Sequence, residues 1–331
     1  MAELTQMKIV SVEELENQLG VNKWPHYVKS CEEMFQKRIS EIAMCILRLN
    51  EVKAVFVSGP TASGKTTFSD RLAKVLTSRG RRTRIISLDD YYQTINIDYD
   101  MNGRPDFESI HTLDTHQIVL DFQTLLKGYE VHIPTFDFVN RCRVYEDHKK
   151  LRLHDSDLVL IEGLHGLSEL VAGHFSHQQY FGVFIMPWCS LLDGRQLLGS
   201  RDLRMLRRMS RDALHRGSTA LSTLDYWPMI DHTEQVFFPQ YLAKADTYIN
   251  SALPYEFSII APLAATLLEQ SLQQYEKGTL PGSIYRKDMD GYADLESAIE
   301  EARNLLQACS RIPQTDKRIV PPESILNEFI H

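Results

Sequence analysis

The chain has 331 residues and a formal net charge of −8 at pH 7, with 43 % hydrophobic and 24 % charged residues. This is the balance of a globular protein, and the length suits one large domain with extensions. The acidic balance argues against binding to duplex nucleic acid, which needs a broad basic face. The five cysteines form no C-x-x-C pair, which argues against a disulfide framework or a zinc ribbon.

The N-terminal segment MAELTQMKIVSVEELENQLG is acidic and lacks the apolar core of a signal peptide. No apolar run approaches the ~20 residues that span a bilayer. We therefore expect a cytoplasmic protein with no membrane partner. Residues 28–49 have apolar positions at helical spacing and predict an amphipathic helix. This helix could pack on the core or on a second subunit, so a homo-oligomer remains open.

Apolar strands and amphipathic helices alternate along the rest of the chain. Strands are predicted at 53–58, TRIISLDD, HIPTF, DLVLIEG, QYFGVFIMP and DTYIN. Helices are predicted at 65–78, LDTHQIVLDFQTLLKG, 199–217, about 230–244 and 293–309. This alternation predicts an α/β fold in which helices cover both faces of a parallel sheet. Ligands of such folds bind at the carboxyl ends of the strands.

Residues 59–66, GPTASGKT, match the phosphate-binding pattern G-x-x-x-x-G-K-[ST] between a predicted strand and a predicted helix. The glycines let backbone N–H groups point at phosphate oxygens, and the helix N-terminus adds partial positive charge. Lys65 supplies a charge for the terminal phosphates, and the Thr66 hydroxyl is placed to ligate Mg²⁺. The alternative is a Gly/Ser turn with a chance lysine, which the complete match in context disfavours. A guanine-specific switch protein is also disfavoured, because no Asn-Lys-x-Asp motif follows the loop.

The predicted ATP-binding residues of this loop are Gly59, Pro60, Thr61, Ala62, Ser63, Gly64, Lys65, Thr66 and Thr67.

Carboxylates follow two of the predicted strands. A phosphotransferase needs a carboxylate that orients the acceptor hydroxyl and takes its proton, and either Asp89 or Asp90 in SLDDYY should face the ligand. The pair could equally cap a helix or start a turn. Glu162 ends the apolar strand LVLIE, where a carboxylate is costly without a partner. Mg²⁺ is the partner that a phosphate loop already requires, and a salt bridge at the strand end is the alternative.

Four arginines of RDLRMLRRMSRDALHRG fall on one helical face, at i, i+3, i+4 and i+7. They are Arg204, Arg207, Arg208 and Arg211. Like charges on one face repel unless an anion lies among them, as nucleotide phosphates would. Beside a phosphate loop this pattern favours an arginine-rich lid that closes over ATP. The alternative is a solvated face that Asp202 and Asp212 partly neutralise.

The chain resembles the phosphoribulokinase/uridine kinase family of P-loop kinases in six ordered motifs, SGPTASGKTTFS, ISLDDYY, PDFESIHTLD, IPTFDFVNRCR, LVLIEGLHGL and LRMLRRMSRDALHRG. More narrowly, it looks like the kinase portion of bacterial uridine kinase-like proteins that carry an N-terminal TGS domain, to which YWPMIDHTEQVFFPQYLAKADTYINSALPYE and VPPESILNEFI are similar. The N-terminal region here is too short for a TGS domain. The resemblance covers about residue 28 to the C-terminus. It implies a P-loop NTPase fold of the nucleoside/nucleotide kinase type. We expect an N-terminal helical extension at 1–50, a kinase domain at 51–270 and a C-terminal helical extension at 271–331 packed on it.

The resemblance implies transfer of the γ-phosphoryl group of ATP, with Mg²⁺, to the 5′-hydroxyl of a nucleoside such as uridine or cytidine, as in pyrimidine salvage. It implies a catalytic group made of the base Asp89 with Lys65, Arg204 and Arg208. It implies that Arg207 and Arg211 bind ATP, and that Thr66 and Glu162 lie at the metal. The implied acceptor-site residues are Tyr92, Asp106, Phe136, Arg141 and Arg143, with Asp106 placed to hold ribose hydroxyls.

Two acceptor positions depart from the family pattern. Phe136 stands where uridine-cytidine kinases have Tyr, and Arg141 stands where they have His. Phe136 can stack on a base but cannot hydrogen-bond to it, and Arg141 only donates. A kinase for a sugar or a sugar phosphate is therefore an alternative. A nucleotide-binding regulatory protein with little turnover is a third, against which the retained site residues argue.

Overall fold

The computed structural model of the chain describes residues 7–93, 97–137, 142–286 and 291–331. Its strands are β1 (Lys8–Ser11), β2 (Ala54–Ser58), β3 (Thr83–Ser87), β4 (Val131–His132), β5 (Thr135–Asp137), β6 (Cys142–Val144), β7 (Lys150–Leu151), β8 (Leu158–Glu162), β9 (Tyr180–Met186), β10 (Cys189–Asp193), β11 (Arg195–Gly199) and β12 (Thr247–Asn250). Its α-helices are α1 (Val12–Gln18), α2 (Lys23–Leu47), α3 (Lys65–Ser78), α4 (Thr115–Leu126), α5 (Ser200–Arg216), α6 (Ala220–Lys244), α7 (Phe257–Glu276), α8 (Leu295–Cys309) and α9 (Asn327–Ile330).

Five strands form a parallel sheet in the order β12-β9-β2-β8-β3. Successive side chains of a strand point to opposite faces, and in β2 Val55 packs with one hydrophobic cluster while Phe56 packs with another. The Val55 cluster includes Leu72 of α3, and the Phe56 cluster includes Phe122 of α4. Helices therefore cover both faces, and the predicted α/β architecture with a parallel sheet is confirmed.

A second, three-stranded sheet has the order β1-β10-β11. Strand β1 pairs in parallel with β10 from Lys8 to Ser11, and β10 turns at Gly194 into the antiparallel β11. The N-terminal region that we expected to be helical thus also contributes a strand. The predicted domain boundaries at 50 and 270 stay predictions.

Several predicted elements differ from the observed ones in their limits. Helix α2 begins at Lys23 rather than at residue 28, and α6 begins at Ala220 rather than near 230. Thr219 caps α6 by accepting the N–H of Ser222, and Pro228 lies inside the helix instead of ending it. Proline normally interrupts helices, so its tolerance here depends on the packing around it.

Helix α5, which carries the arginine face, packs against α6, α7 and α9. Its apolar side, with Leu203, Leu206 and Met209, is fully buried. The helix is thus part of a packed layer, and the predicted closing of an arginine lid over ATP is not confirmed and stays a prediction. None of the helices within the described ranges has the length and apolar character needed to cross a membrane.

Candidate active site

The phosphate loop connects β2 to α3, as the motif predicts. Gly64 precedes α3 with a left-handed φ of 85°, a conformation that glycine adopts without strain. Gly59 lies so close to β9 that a Cβ atom on it would be 2.1 Å from the carbonyl oxygen of Ile185. Gly59 is therefore required for close packing, and Gly64 is required for its backbone conformation and for close packing against Ile325.

The first turn of α3 presents the charged and hydroxyl groups of the motif. The Nζ of Lys65 donates a hydrogen bond to the carbonyl oxygen of Pro60 at 3.0 Å, so the ammonium group folds back over the loop. Thr66 is exposed to solvent. Both groups remain next to backbone N–H groups at a helix N-terminus, which is a setting that favours a bound anion.

The turn after β3 separates the roles of its two aspartates. Asp90 accepts the backbone N–H of Phe136 at 3.2 Å and so holds β5 against this turn. Asp89 lies near Lys65 and Glu108 at the end of the sheet. Asp89 is exposed to solvent, and the charges of Arg211 and Arg216 also act on its carboxylate. Asp89 is therefore the member of the pair that faces the other charged groups.

Glu162 ends β8, between β2 and β3 in the sheet, and is 6 % exposed. Its carboxylate accepts the hydroxyl hydrogen of Ser87 at 2.8 Å. Burial raises the pKa of Glu162 to about 7, Asp89 adds to the rise, and Lys65 opposes it. The parallel strands thus bring Lys65, Asp89 and Glu162 together at one edge, where a cation would keep Glu162 ionised.

The predicted acceptor-site residues occupy the neighbouring segments. The rings of Tyr92 and Phe136 lie 5.6 Å apart at 58°. Oδ1 of Asp106 is buried and has no hydrogen-bond partner in the described part of the chain. Arg143 pairs with Asp114 at 2.9 Å. Arg141 lies outside the described residues.

Two arginines of α5 hold the phosphate loop from outside. Arg204 donates to the carbonyl oxygen of Thr61 at 3.0 Å, and Arg207 donates to that of Ala62 at 3.2 Å. Both arginine side chains are buried. They support the backbone of the loop, and their predicted roles toward ATP stay predictions.

Arg208 contacts both the phosphate loop and Glu108. Its Nη1 donates to the hydroxyl of Thr61 at 2.9 Å and to the carboxylate of Glu108 at 3.0 Å. Asp212 accepts from Arg208 at 3.2 Å and from Arg211 at 2.9 Å. Arg208 therefore joins the phosphate loop to the segment that carries Glu108.

The charges of the arginine face are neutralised by carboxylates rather than left to solvent. Asp212 neutralises arginines of this face, as the alternative interpretation of the sequence expected. Asp202 does not, because it accepts the N–H of Gly199 at the start of α5. The other carboxylate partners come from distant parts of the chain. They are Glu108 for Arg208, Glu234 for Arg204 and Glu256 for Arg207.

Glu108 and His165 were missed at the sequence level. The backbone carbonyl of Glu108 accepts from Nε2 of His165 at 2.7 Å, and Nδ1 of His165 accepts from the hydroxyl of Tyr241 at 2.6 Å. Burial lowers the pKa of His165 to about 4, which keeps the ring neutral. Both residues lie within the family motifs PDFESIHTLD and LVLIEGLHGL. Their closeness in sequence to Asp106 and Glu162 could have indicated that they lie near the site.

The Phosphoribulokinase / Uridine kinase family model matches residues 54–254, which is more than half of the chain. The uridine kinase of Macrococcus caseolyticus is 23 % identical over 181 residues, which cover 54 % of this chain and 78 % of that protein. Uridine-cytidine kinase 2-B of Danio rerio is 29 % identical over 169 residues, which cover 49 % of this chain and 58 % of that protein. A solved structure described as a possible uridine kinase from Bacillus stearothermophilus aligns with a TM-score of 0.43 and 19 % identity, over 64 % of this chain and 97 % of that one.

Proposed function

Because the chain belongs to the phosphoribulokinase/uridine kinase family and is therefore an ATP-dependent kinase, we propose that it phosphorylates the 5′-hydroxyl of a nucleoside, most directly uridine or cytidine. The observation that carries this proposal is the meeting of Lys65, Asp89 and Glu162 at the carboxyl edge of the sheet. Phosphoryl transfer requires a positive charge that holds the phosphates, here Lys65, and a base, here Asp89. It also requires a second carboxylate near the metal, here Glu162.

In the proposed mechanism the hydroxyl oxygen of the acceptor forms a bond to the γ-phosphorus of ATP. Asp89 accepts the proton that this hydroxyl loses. The bond from that phosphorus to the bridging oxygen breaks, and ADP leaves. Lys65 and the backbone N–H groups of the loop hold the phosphates in line with the attacking oxygen.

The residues that would hold Mg²⁺ are Thr66, with its exposed hydroxyl, and Glu162. Their chemistry fits a hard cation that prefers oxygen ligands, and the raised pKa of Glu162 indicates a carboxylate that gains from a nearby positive charge. When bound, Mg²⁺ supplies charge neutralisation on the phosphate oxygens.

The acceptor is proposed to lie between the aromatic pair and Asp106. Tyr92 and Phe136 offer apolar ring surface to a base, and the unpaired oxygen of Asp106 can accept from a sugar hydroxyl. A buried acceptor without a partner is unfavourable in the free protein, which supports a role in binding a hydroxylated ligand. Phe136 lacks a hydroxyl to read the base, so a sugar or a sugar phosphate is the second candidate.

The test is an acceptor screen with purified protein, ATP and Mg²⁺, in which acceptor-dependent ADP release is measured for nucleosides, sugars and sugar phosphates. Turnover with uridine or cytidine is the expected result. Turnover only with a sugar or sugar phosphate would contradict the nucleoside proposal. ATP binding with no acceptor-dependent ADP release would favour a regulatory protein.

Two aspartate variants serve as matched probes in the same screen. We expect Asp89→Asn to lower kcat by about 10²- to 10⁴-fold while ATP binding survives, because only the acceptor proton is mishandled. Asp90→Ala removes the oxygen that accepts the backbone N–H of Phe136 and should affect the acceptor KM more than kcat. If Asp89→Asn leaves kcat unchanged, the base is another residue.

A further inference from the structure

The C-terminal segment, defined here as residues 324–331, lies on the phosphate loop although it is outside the residues that match the family. The side chain of Ile325 fills the space next to Gly64. A Cβ atom on Gly64 would be 2.2 Å from Cδ1 of Ile325, and Ile325 itself is fully buried. The segment therefore covers one side of the glycine that precedes the lysine of the loop.

Glu328 of the same segment reaches Thr67, which follows the motif directly and is one of the predicted ATP-binding residues. Its Oε2 accepts the hydroxyl hydrogen of Thr67 at 3.2 Å. Burial is the main cause of the raised pKa of Glu162, and the negative charge of Glu328 adds to it. Glu328 thus brings a carboxylate to the loop from a region 261 positions away in the chain.

The segment is held firmly in this position. The guanidinium of Arg207 lies 4.9 Å from the ring centre of Phe329, and Lys317 donates to the carbonyl oxygen of Ile330 at 3.0 Å. Leu326, Phe329 and Ile330 are buried in the main hydrophobic cluster. The contact with the loop is therefore a packed interface.

Two physical effects act on a nucleotide that enters this loop. The glycine and hydroxyl positions of the motif are where the chain approaches the phosphates, so Ile325 and Glu328 border the same space. A carboxylate repels phosphate oxygens of like charge, and it competes with them for the Thr67 hydroxyl, which can donate only one hydrogen.

We infer that the C-terminal segment is part of the nucleotide site and that Glu328 weakens ATP binding by competing with a phosphate group for Thr67. The inference rests on ATP binding at the phosphate loop, as in the proposed function, and it does not depend on the acceptor. A purely structural segment would instead affect folding stability without changing the affinity for ATP.

The experiment measures the dissociation constant of ATP by isothermal titration calorimetry, in EDTA, for the full chain and for Glu328→Gln. We expect Glu328→Gln to bind ATP about tenfold more tightly, because the negative charge is lost and the neutral amide oxygen accepts the Thr67 hydrogen more weakly than a carboxylate does. The matched control is Glu323→Gln, which neutralises an exposed glutamate just before the segment and should leave the constant unchanged.

A second background tests whether Thr67 is the shared donor. In Thr67→Val the gain from Glu328→Gln should shrink, because the contested hydroxyl is absent. Equal or weaker ATP binding by Glu328→Gln, in a protein with an unchanged melting temperature, would overturn the inference. If neither the full chain nor any variant binds ATP, the assignment of the phosphate loop fails and the inference with it. Tighter binding by Glu328→Gln supports the inference even if no nucleoside is phosphorylated.

Discussion

The phosphate loop and helix α5 contact each other, yet they are stabilised in different ways. The loop needs glycine at two positions of its own sequence, Gly59 and Gly64. The arginines of α5 depend on carboxylates from segments far away in the chain, such as Glu256 for Arg207. A short motif can therefore specify its own geometry, whereas a charged helix face takes its role from its tertiary partners.

The largest effect is expected from breaking a buried pair of α5. Arg207 and Glu256 are both fully buried, so Arg207→Met leaves an unpaired carboxylate inside the protein. We expect this change to lower the free energy of unfolding by about 3–5 kcal/mol, measured by urea titration. Arg207→Met combined with Glu256→Leu should recover part of the loss. A loss below about 1 kcal/mol for the single variant would show that the pair is not what holds α5.

Adding a single methyl group to the phosphate loop should lower both the stability of the protein and its affinity for ATP. Gly59→Ala places a Cβ atom against the carbonyl oxygen of Ile185, and we expect a loss of about 1–3 kcal/mol in the free energy of unfolding. ATP affinity should fall as well, because the loop must shift away from β9. Gly80→Ala is a control at a glycine with open space around it, although its left-handed φ adds strain. Unchanged ATP affinity in Gly59→Ala would mean that the loop tolerates this displacement.

The neutral His165 beside Glu108 predicts a pH dependence of stability. Its pKa is about 4 in the folded protein and about 6.5 in the unfolded chain, so the unfolded state binds the proton first as the pH falls. The contribution of the neutral ring to the free energy of unfolding is complete above pH 6.5 and is lost as the pH falls toward 4. About 2 kcal/mol of it is lost between pH 7 and pH 5. Urea titrations at both pH values should show a smaller drop for His165→Gln than for the unchanged protein. Equal drops would contradict the role of His165.

The smallest effect on stability is expected at the exposed N-terminal end of helix α5. Arg201 pairs with Asp231 at 2.9 Å and with Glu301 at 2.7 Å, and its side chain is 44 % exposed. Because solvent screens such pairs, Arg201→Ala should lower the free energy of unfolding by less than about 1 kcal/mol in urea titration. An effect as large as that of Arg207→Met would remove the distinction between buried and exposed arginines.

The sequence by itself determined the features that depend on neighbouring residues. The spacing of Gly59, Gly64, Lys65 and Thr66 predicted the loop, and the alternation of apolar strands and helices predicted the parallel sheet. These predictions succeed because backbone conformation and side-chain periodicity act over a few positions. The ends of the strands likewise indicated where carboxylates would gather.

Only the tertiary structure decided which groups meet across long separations. It assigned Asp90 to the backbone of Phe136 and left Asp89 near Lys65, although the two are adjacent and chemically identical. It gave Arg208 the partner Glu108, and it laid the C-terminal segment with Glu328 on the loop. Such pairings follow from how the sheet and helices pack, because charges and hydrogen bonds act between atoms that are close in space. The spacing of residues along the chain does not show which distant residues will meet.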